Sequence, residues 1–392
     1  MLRAGTGHST ASNPRSAAAE ATAAALAQAG LARAEGALCF ATTAHGAAFP
    51  LIARTVASEA RTREIAGCGA TGLIGAEREI ESGPGVSVLV FGGDAIHAKR
   101  LFSAPLRGRA AQAAGEIAAV ARAAPGASKL LCLFPDTYNF EAEPFLSTIE
   151  RELPGVTIVG GGASEDGSIG ETFQFSGDAV SSNSIAAMLL SGDFDLNIGA
   201  SLACAPIGAA HRVTAARDNI LIELDGRPAY EVFAEAAGPL AEDLRRALAF
   251  VFVGIPLDPG AERIERGRYL VRNIIGAGPE QGVLAVAHRP KVGDTIALLL
   301  RDGERARNDL KETLAEMSAR AVKPPAFGLY FDCVSRGSGL YHMADHDSAY
   351  IRQYLGDFPL AGFFTGCEIG PLGGATRLLQ YSGVLVLVSE KG

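Results

Sequence analysis

The sequence predicts an α/β protein of the mixed α+β kind, with two domains of mixed sheets flanked by helices and built from repeated strand-helix-strand units. Three observations carry that prediction. Short apolar runs without alternation, such as residues 384–388 (VLVLV), read as strands covered on both faces. Two segments share one order of strand, helix, strand and glycine-rich turn, with 29 residues from Leu38 to Gly67 and 29 from Leu131 to Gly160. Between the repeats lie β-rich stretches without a helical period, which favours mixed domains over a single doubly wound sheet.

Taken in order, residues 1–15 read as a frayed tail, and the Ala-rich stretch 16–35 has the propensity for an N-terminal helix starting near Ser16. The first copy has a strand at 37–42, a helix at 51–63, the turn GCGATG at 67–72 and a return strand at 86–91. The second has a strand at 130–134, a helix at 141–152, the turn Pro154-Gly155, a strand at 156–159 and GGGA at 160–163. Cys39 and Cys132 are placed at matched strand positions, as small core groups. A looser third copy has a strand at 327–331, DCVSRG at 332–337, a helix at 349–355, a glycine-bearing run at 359–370 and strands at 377–381 and 384–388. Further strands are expected at 171–175, 184–190, 196–203, 211–217, 221–224, 269–275, 283–287 and 295–300. The turn Asp225-Gly226-Arg227-Pro228 precedes a helix from Ala229, so the expected division is 1–35 (tail and Ala-rich helix), 36–226 and 227–390.

Composition narrows the function. With 48% hydrophobic and 20% charged residues, the 392-residue chain reads as folded, and its 47 glycines, about 12% against the usual ~7%, call for a local role. A formal charge of −8 argues against nucleic acid, which selects basic surfaces. The six cysteines form no CxxC pair and no zinc spacing with His, so reduced thiols and a cytoplasmic location are expected. No apolar run approaches about 18 residues, and the start lacks signal-peptide order, so neither membrane insertion nor export is expected.

The residues that could carry chemistry lie mostly in the third copy. DCVSRG ends an apolar strand with an acid, a thiol, a hydroxyl and a guanidinium. Arg336 is suited either to hold a ligand carboxylate through a bidentate fork or to pair with an Asp of its own chain. Cys333, beside that cation, is either a thiol of lowered pKa or a buried structural one. The turn at 362–370 carries Thr365, Gly366, Cys367 and Glu368, and its backbone N–H groups could meet an anion. His342 and His346 stand at i, i+4 with Asp345 and Asp347 nearby, but the HExxH glutamate is missing and the segment looks like a loop, so no metal is expected. His211 and His288 are the weak alternatives for haem ligation; otherwise no cofactor is expected.

Five motifs in order, GCGATGLIGAEREIES (67–82), PGVTIVGGGASEDG (154–167), RDNILIELDGRPAYEVF (217–233), FDCVSRG (331–337) and FPLAGFFTGCEIGPLGG (358–374), resemble the FIST family. The resemblance implies an N-terminal FIST domain ending near 225 and a C-terminal FIST domain after it. It also implies a cytoplasmic sensory module for small, amino-acid-like ligands. Carried over by residue, the cysteine and arginine of the family's C-x-x-R-G segment are Cys333 and Arg336, and the acid of the G-x-G-E-I-G-like segment is Glu368. The chain departs from the pattern at Cys367, where relatives often carry a small or amide residue. No F-box-like, kinase, receiver or methyl-accepting segment is present, so output is expected through a separate partner, a histidine kinase or another signalling protein. The expected ligand-binding set is Cys333, Arg336, Gly366, Cys367, Glu368 and, through the repeat, Thr71, with no catalytic residue. A thiol-dependent transferase or hydrolase using Cys333 and a haem-based gas sensor are the alternative readings.

Overall fold

The computed structural model describes residues 1–258 and 260–391. The chain forms two compact units that interleave in sequence: a larger one from Met1–Ala200, Lys311–Leu378 and Ser382–Gly392, and a smaller one from Ser201–Leu310 and Leu379–Tyr381.

The larger unit contains three six-stranded sheets with one topology. At the centre of each is a parallel pair: Gly36–Thr42 with Ile65–Ala70, Ser128–Pro135 with Thr157–Gly161, and Phe327–Cys333 with Leu360–Thr365. These are the strands of the three sequence copies, and each pair is bridged by a helix, Phe49–Ala60, Ala142–Glu152 or His346–Leu355. On one side of each pair lies an antiparallel return strand, Val86–Gly92, Ile185–Gly192 or Ser382–Glu390. On the other side lies a short hairpin taken from a different copy. The hairpin Leu73–Gly75/Glu79–Ile80 follows the first pair yet joins the third sheet, Gln174–Ser176/Ala179–Ser181 follows the second pair and joins the first sheet, and Glu368–Leu372/Ala375–Leu379 follows the third pair and joins the second sheet. The exchange is cyclic, so each sheet is completed by another copy.

Glycine fixes the parallel pairs. A Cβ on Gly67, Gly160 or Gly362 would stand 1.8, 2.0 and 1.9 Å from the carbonyl oxygens of Cys39, Leu133 and Tyr330. No side chain fits such an approach. These register partners also correct the sequence alignment of the first two copies by one residue. Cys39 faces Gly67, but the residue facing Gly160 is Leu133. Cys39 and Leu133 pack into the helix-side cores of their sheets, whereas Cys132 alternates to the opposite face. The residues that truly match across copies are Phe40, Phe134 and Phe331, each one past the glycine-facing position. Their rings meet with Phe363, at centroid separations of 4.7 Å (Phe40–Phe363), 5.4 Å (Phe40–Phe134), 6.2 Å (Phe134–Phe363) and 5.8 Å (Phe331–Phe363).

The N-terminus departs from the expected frayed tail. Residues Arg3–Ser9 form a strand paired antiparallel with Val86–Gly92. RAGTGHS lacks the large apolar residues that signal a strand. It is placed by the helix Pro14–Ala29, whose Ala21 and Ala25 carbonyl oxygens would lie 2.0 and 2.3 Å from a Cβ on Gly7 and Gly5. That helix starts where Asn13 accepts the Ser16 N–H, has Pro14 at its first turn and stops at the left-handed Gly30.

The smaller unit is an antiparallel barrel. Its strands run in the order Cys204–Arg217, Thr295–Arg301, Val251–Pro256, Tyr269–Gly278, Val283–Val286 and Ile220–Leu224, and the last pairs back with the first. Closure leaves no open edge among these strands. The interior is aliphatic, with Val213, Leu221, Val253, Ile274 and Leu298 packed with Phe233 of the helix Ala229–Ala237.

Candidate functional site

The C-terminal ends of the three parallel pairs are tied together by backbone hydrogen bonds. Gly69 N donates to Phe173 O at 2.9 Å, Gly162 N to Cys367 O at 2.8 Å, and Phe364 N to Gly72 O at 3.0 Å. A second tier follows, in which Ser164 N donates to Gly69 O at 3.3 Å and Gly366 N to Gly162 O at 3.0 Å. At the third position of that tier Thr71 N donates to Ser164 Oγ at 3.0 Å, and Ser164 Oγ donates to Phe364 O at 2.5 Å. Thr71 and Gly366, both half-buried, therefore sit in the same tier with Ser164 between them. The N–H of Gly366 is engaged by Gly162.

The three copies differ three residues past the glycine-facing position. In the first, Thr42 Oγ1 accepts the Gly85 N–H at 2.9 Å and donates to Gly83 O at 2.9 Å. In the second, the Asp136 carboxylate accepts from Thr172 Oγ1 at 2.8 Å, Asn139 Nδ2 at 2.7 Å, Tyr138 N at 3.0 Å and Asn183 N at 2.8 Å. In the third copy this position is Cys333, whose thiol accepts from Ser335 Oγ at 3.1 Å and from the Ser335 backbone N–H. The N–H that starts the return strand there, on Ser382, is met by Glu368 Oε2 at 3.1 Å, and Ser382 Oγ donates to the same oxygen at 2.7 Å. Only the third copy thus places a buried glutamate and two thiols, Cys333 and Cys367, at its strand ends.

Burial pushes the Glu368 carboxyl up to about 7, against the hydrogen bonds from Thr365 and Ser382 that favour its ionised form. Burial likewise pushes both the Cys333 and the Cys367 thiols up to about 12, and the Glu368 charge adds to the rise in each. Of the two readings open for Cys333, its burial and raised pKa favour the buried structural thiol. The cation is spent elsewhere and the thiol is desolvated.

Arg336 is fully buried. Its Nε lies 2.6 Å from Asp332 Oδ1 and its Nη2 2.7 Å from Asp347 Oδ2. Tyr330 Oη donates to Asp347 Oδ2 at 2.7 Å, and His346 Nδ1 stands 2.7 Å from Asp347 Oδ1, which as a carboxylate accepts. Burial alone would raise the Asp347 carboxyl, but Arg336 and the hydrogen bonds from His346, Arg336 and Tyr330 outweigh it and hold this group well below the usual range. Asp332 must share the same guanidinium, and there burial wins, raising its carboxyl well above the usual range. The Tyr341 ring covers the guanidinium at 5.7 Å and stacks on His346 at 3.6 Å. Arg336 thus forms the ion pair with acids of its own chain, through Nε and Nη2.

Besides Arg336 Nε, which is engaged in the ion pair alone, four polar atoms beside this ion pair have no hydrogen-bond partner among the described residues: Arg336 Nη1, Asp332 Oδ2, Glu79 Oε2 and Tyr341 Oη. Glu79 comes from the hairpin that the first copy lends to the third sheet. Burial, reinforced by the Asp347 charge, pushes its carboxyl up to about 7 against the Ser348 hydrogen bonds. Buried polar groups are paired in the large majority of cases, so four unpaired atoms around one guanidinium mark an unusual place. Open grooves of about 550 Å³ and about 500 Å³ are lined by other residues, Arg263 and Arg54 among them.

His342 and His346 do not share a helix face. His342 is the left-handed residue that ends the short helix Ser338–Tyr341, and His346 opens the next helix. Among the described residues no group of His, Cys, Asp and Glu could hold a metal ion. His211 Nδ1 lies 2.8 Å from Asp225 Oδ2. Among the described residues no helix is long and apolar enough to cross a membrane.

Sequence reasoning brought Cys333, Arg336, Cys367 and Glu368 to one end of a parallel pair. It missed Tyr330, Tyr341 and Glu79, and it noted Asp347 only as a neighbour of two histidines.

The family profile of the FIST N domain matches residues 36–227, and that of the FIST C domain matches residues 229–371. The chain belongs to the FIST family. FIST domains are in general sensory modules of signal transduction. An uncharacterised protein of Mycobacterium tuberculosis strain H37Rv is 31% identical over 388 residues, covering 98% of this chain and 99% of its own. An uncharacterised protein of Mycobacterium bovis is 30% identical over 324 residues, 82% of each chain. Among solved structures, a cyanuric acid hydrolase from A. caulinodans is similar over 49% of this FIST chain and 70% of its own, with 10% identity and a TM-score of 0.29.

Proposed function

We propose that this FIST protein is a cytoplasmic sensor of a small amino-acid-like ligand, which it reads at the strand ends of the third copy and reports to a separate signalling partner such as a histidine kinase. The supporting observation is the set of unpaired atoms around the buried Arg336. Arg336 Nη1 and Tyr341 Oη are donors for a ligand carboxylate, while Asp332 Oδ2 and Glu79 Oε2 are acceptors for an ammonium group. A small zwitterion would bring a carboxylate to the first set and an ammonium to the second. Glu368, Cys333 and Cys367 form the adjoining wall, and Gly366 and Thr71 the tier beside it. No metal or haem enters this reading.

The thiol-dependent enzyme is disfavoured because burial pushes Cys333 up to about 12, which leaves it without a thiolate near neutral pH.

The test is calorimetry with individual amino acids on the wild type and on Tyr341→Phe. This variant removes one unpaired hydroxyl and leaves the Arg336 ion pairs in place. The reading expects binding that weakens roughly tenfold in the variant, about the worth of one hydrogen bond to a charged group. Equal affinity in both proteins would refute the assignment of the site.

A further inference from the structure

The proposed ligand groups are closed off by residues 337–348, which begin immediately after Arg336, three residues past the end of strand Phe327–Cys333, and return to Arg336 through Asp347. This stretch contains the one-turn helix Ser338–Tyr341, an exposed stretch at 342–344 and the start of helix His346–Leu355. Tyr341, which covers the guanidinium, belongs to it. Three backbone positions in it have positive φ: Gly337 at 63°, His342 at 53° and Asp345 at 56°. Non-glycine residues adopt that region at a cost, so the segment needs external contacts to hold its path.

Those contacts come from the lent hairpin. Ser338 N donates to Glu81 Oε1 at 3.0 Å and Oε2 at 2.9 Å, and Ser338 Oγ donates to Oε2 at 2.7 Å. At the far end Ser348 N donates to Glu79 Oε1 at 2.8 Å, and in return Glu79 N donates to Asp345 Oδ1 at 2.6 Å. Two carboxylates two residues apart therefore hold the two ends of one segment. Each meets backbone N–H groups that the adjoining helical turns leave without an internal partner.

We infer that residues 337–348 are a lid over the Arg336 site, latched shut by Glu81 and Glu79 of the hairpin Leu73–Gly75/Glu79–Ile80 and its continuation, and that ligand exchange requires this latch to release. The inference rests on the proposed ligand reading for what passes the lid, but the latch itself is a property of the protein alone. It explains how a ligand reaches groups that are almost wholly buried. It also gives a route for the signal: a hairpin of the first copy registers whether the cap of the third copy is open.

Hydrogen exchange on the full-length protein tests it. In Glu81→Ala and in Glu79→Ala, amides of 338–348 are expected to exchange at least tenfold faster than in the wild type. Glu143→Gln, at an exposed helical position, serves as the control and should change nothing there. Unchanged exchange in both latch variants would overturn the latch, and so would a rise spread evenly over the central strands, since that is global destabilisation. The same proteins are then measured with an equimolar mixture of the protein amino acids. Slower exchange of 338–348 in the wild type, with a smaller slowing in Glu81→Ala, supports lid closure over a ligand. Exchange that the mixture never alters, in proteins whose latch variants do open, leaves the latch standing and removes the amino-acid reading.

Discussion

Thr365 Oγ1 lies 2.6 Å from Glu368 Oε1. The same hydroxyl is 3.1 Å from the Asp332 carbonyl oxygen, and it has one proton to give. If Glu368 were ionised, one of the two acceptors would go without. A protonated Glu368 resolves this, because its own hydroxyl donates to Thr365, which then donates to Asp332. Geometry and the carboxyl's rise to about 7 through burial point the same way.

Stability should therefore fall with rising pH through this group. Its folded pKa is above the unfolded one, so its contribution is fully present below about 4.5 and is lost as pH rises through about 7. The change amounts to about 3 kcal/mol at full ionisation. Urea unfolding of Glu368→Gln should show this part of the pH dependence removed, with the variant gaining on the wild type at pH 8 relative to pH 5. A constant difference between the two proteins across that window would refute the protonated carboxyl.

Removing the Arg336 charge should cost more than removing either acid. Arg336→Ala leaves Asp332 and Asp347 facing each other in the interior, and loss of one partner from a buried ion pair costs about 3–5 kcal/mol. Asp332→Asn should cost markedly less, because burial already raises that carboxyl. Denaturant midpoints of the two variants compare them directly, and equal losses would contradict this division of roles.

The thiols should be unreactive in the folded protein. All six cysteines are free and buried. Iodoacetamide labelling followed against pH should reveal no thiol titrating below about 8.5. A fast-labelling Cys333 at neutral pH would reverse the account of its surroundings.

The aromatic centre should matter to the whole larger unit. Phe363 touches Phe40 and Phe134, one ring from each of the other copies, and Phe331 of its own. Phe363→Ala should destabilise by about 3–5 kcal/mol. A loss below about 1 kcal/mol would mean the three sheets do not depend on that contact.

Much of this architecture was legible in the chain. The strand-helix-strand copies are apolar runs closed by glycines, and the glycines are required wherever one parallel strand crosses the carbonyl of its neighbour. Counting from the first leucine of each strand gave equal spacing, but register depends on which residue faces the glycine, and that put Cys132 on the wrong face. Strand Arg3–Ser9 was hidden because its glycines, the very residues that admit the helix, carry no strand signal. The FDCVSRG and TGCEIG segments could be joined because both end strands of one parallel pair. Glu79 and Glu81 could not, since the hairpin exchange between copies leaves no mark on local sequence. Tyr341 faces Arg336 only after the chain turns at Gly337, and Asp347 only after it turns again at His342 and Asp345.

The central claim is that a small zwitterion binds around Arg336, and titration calorimetry of single amino acids into the wild type and Tyr341→Phe tests it most directly. The account predicts saturable one-site binding of at least one of them, weakened about tenfold without the Tyr341 hydroxyl. Saturable binding that is indifferent to Tyr341, or no binding by any amino acid, would contradict it.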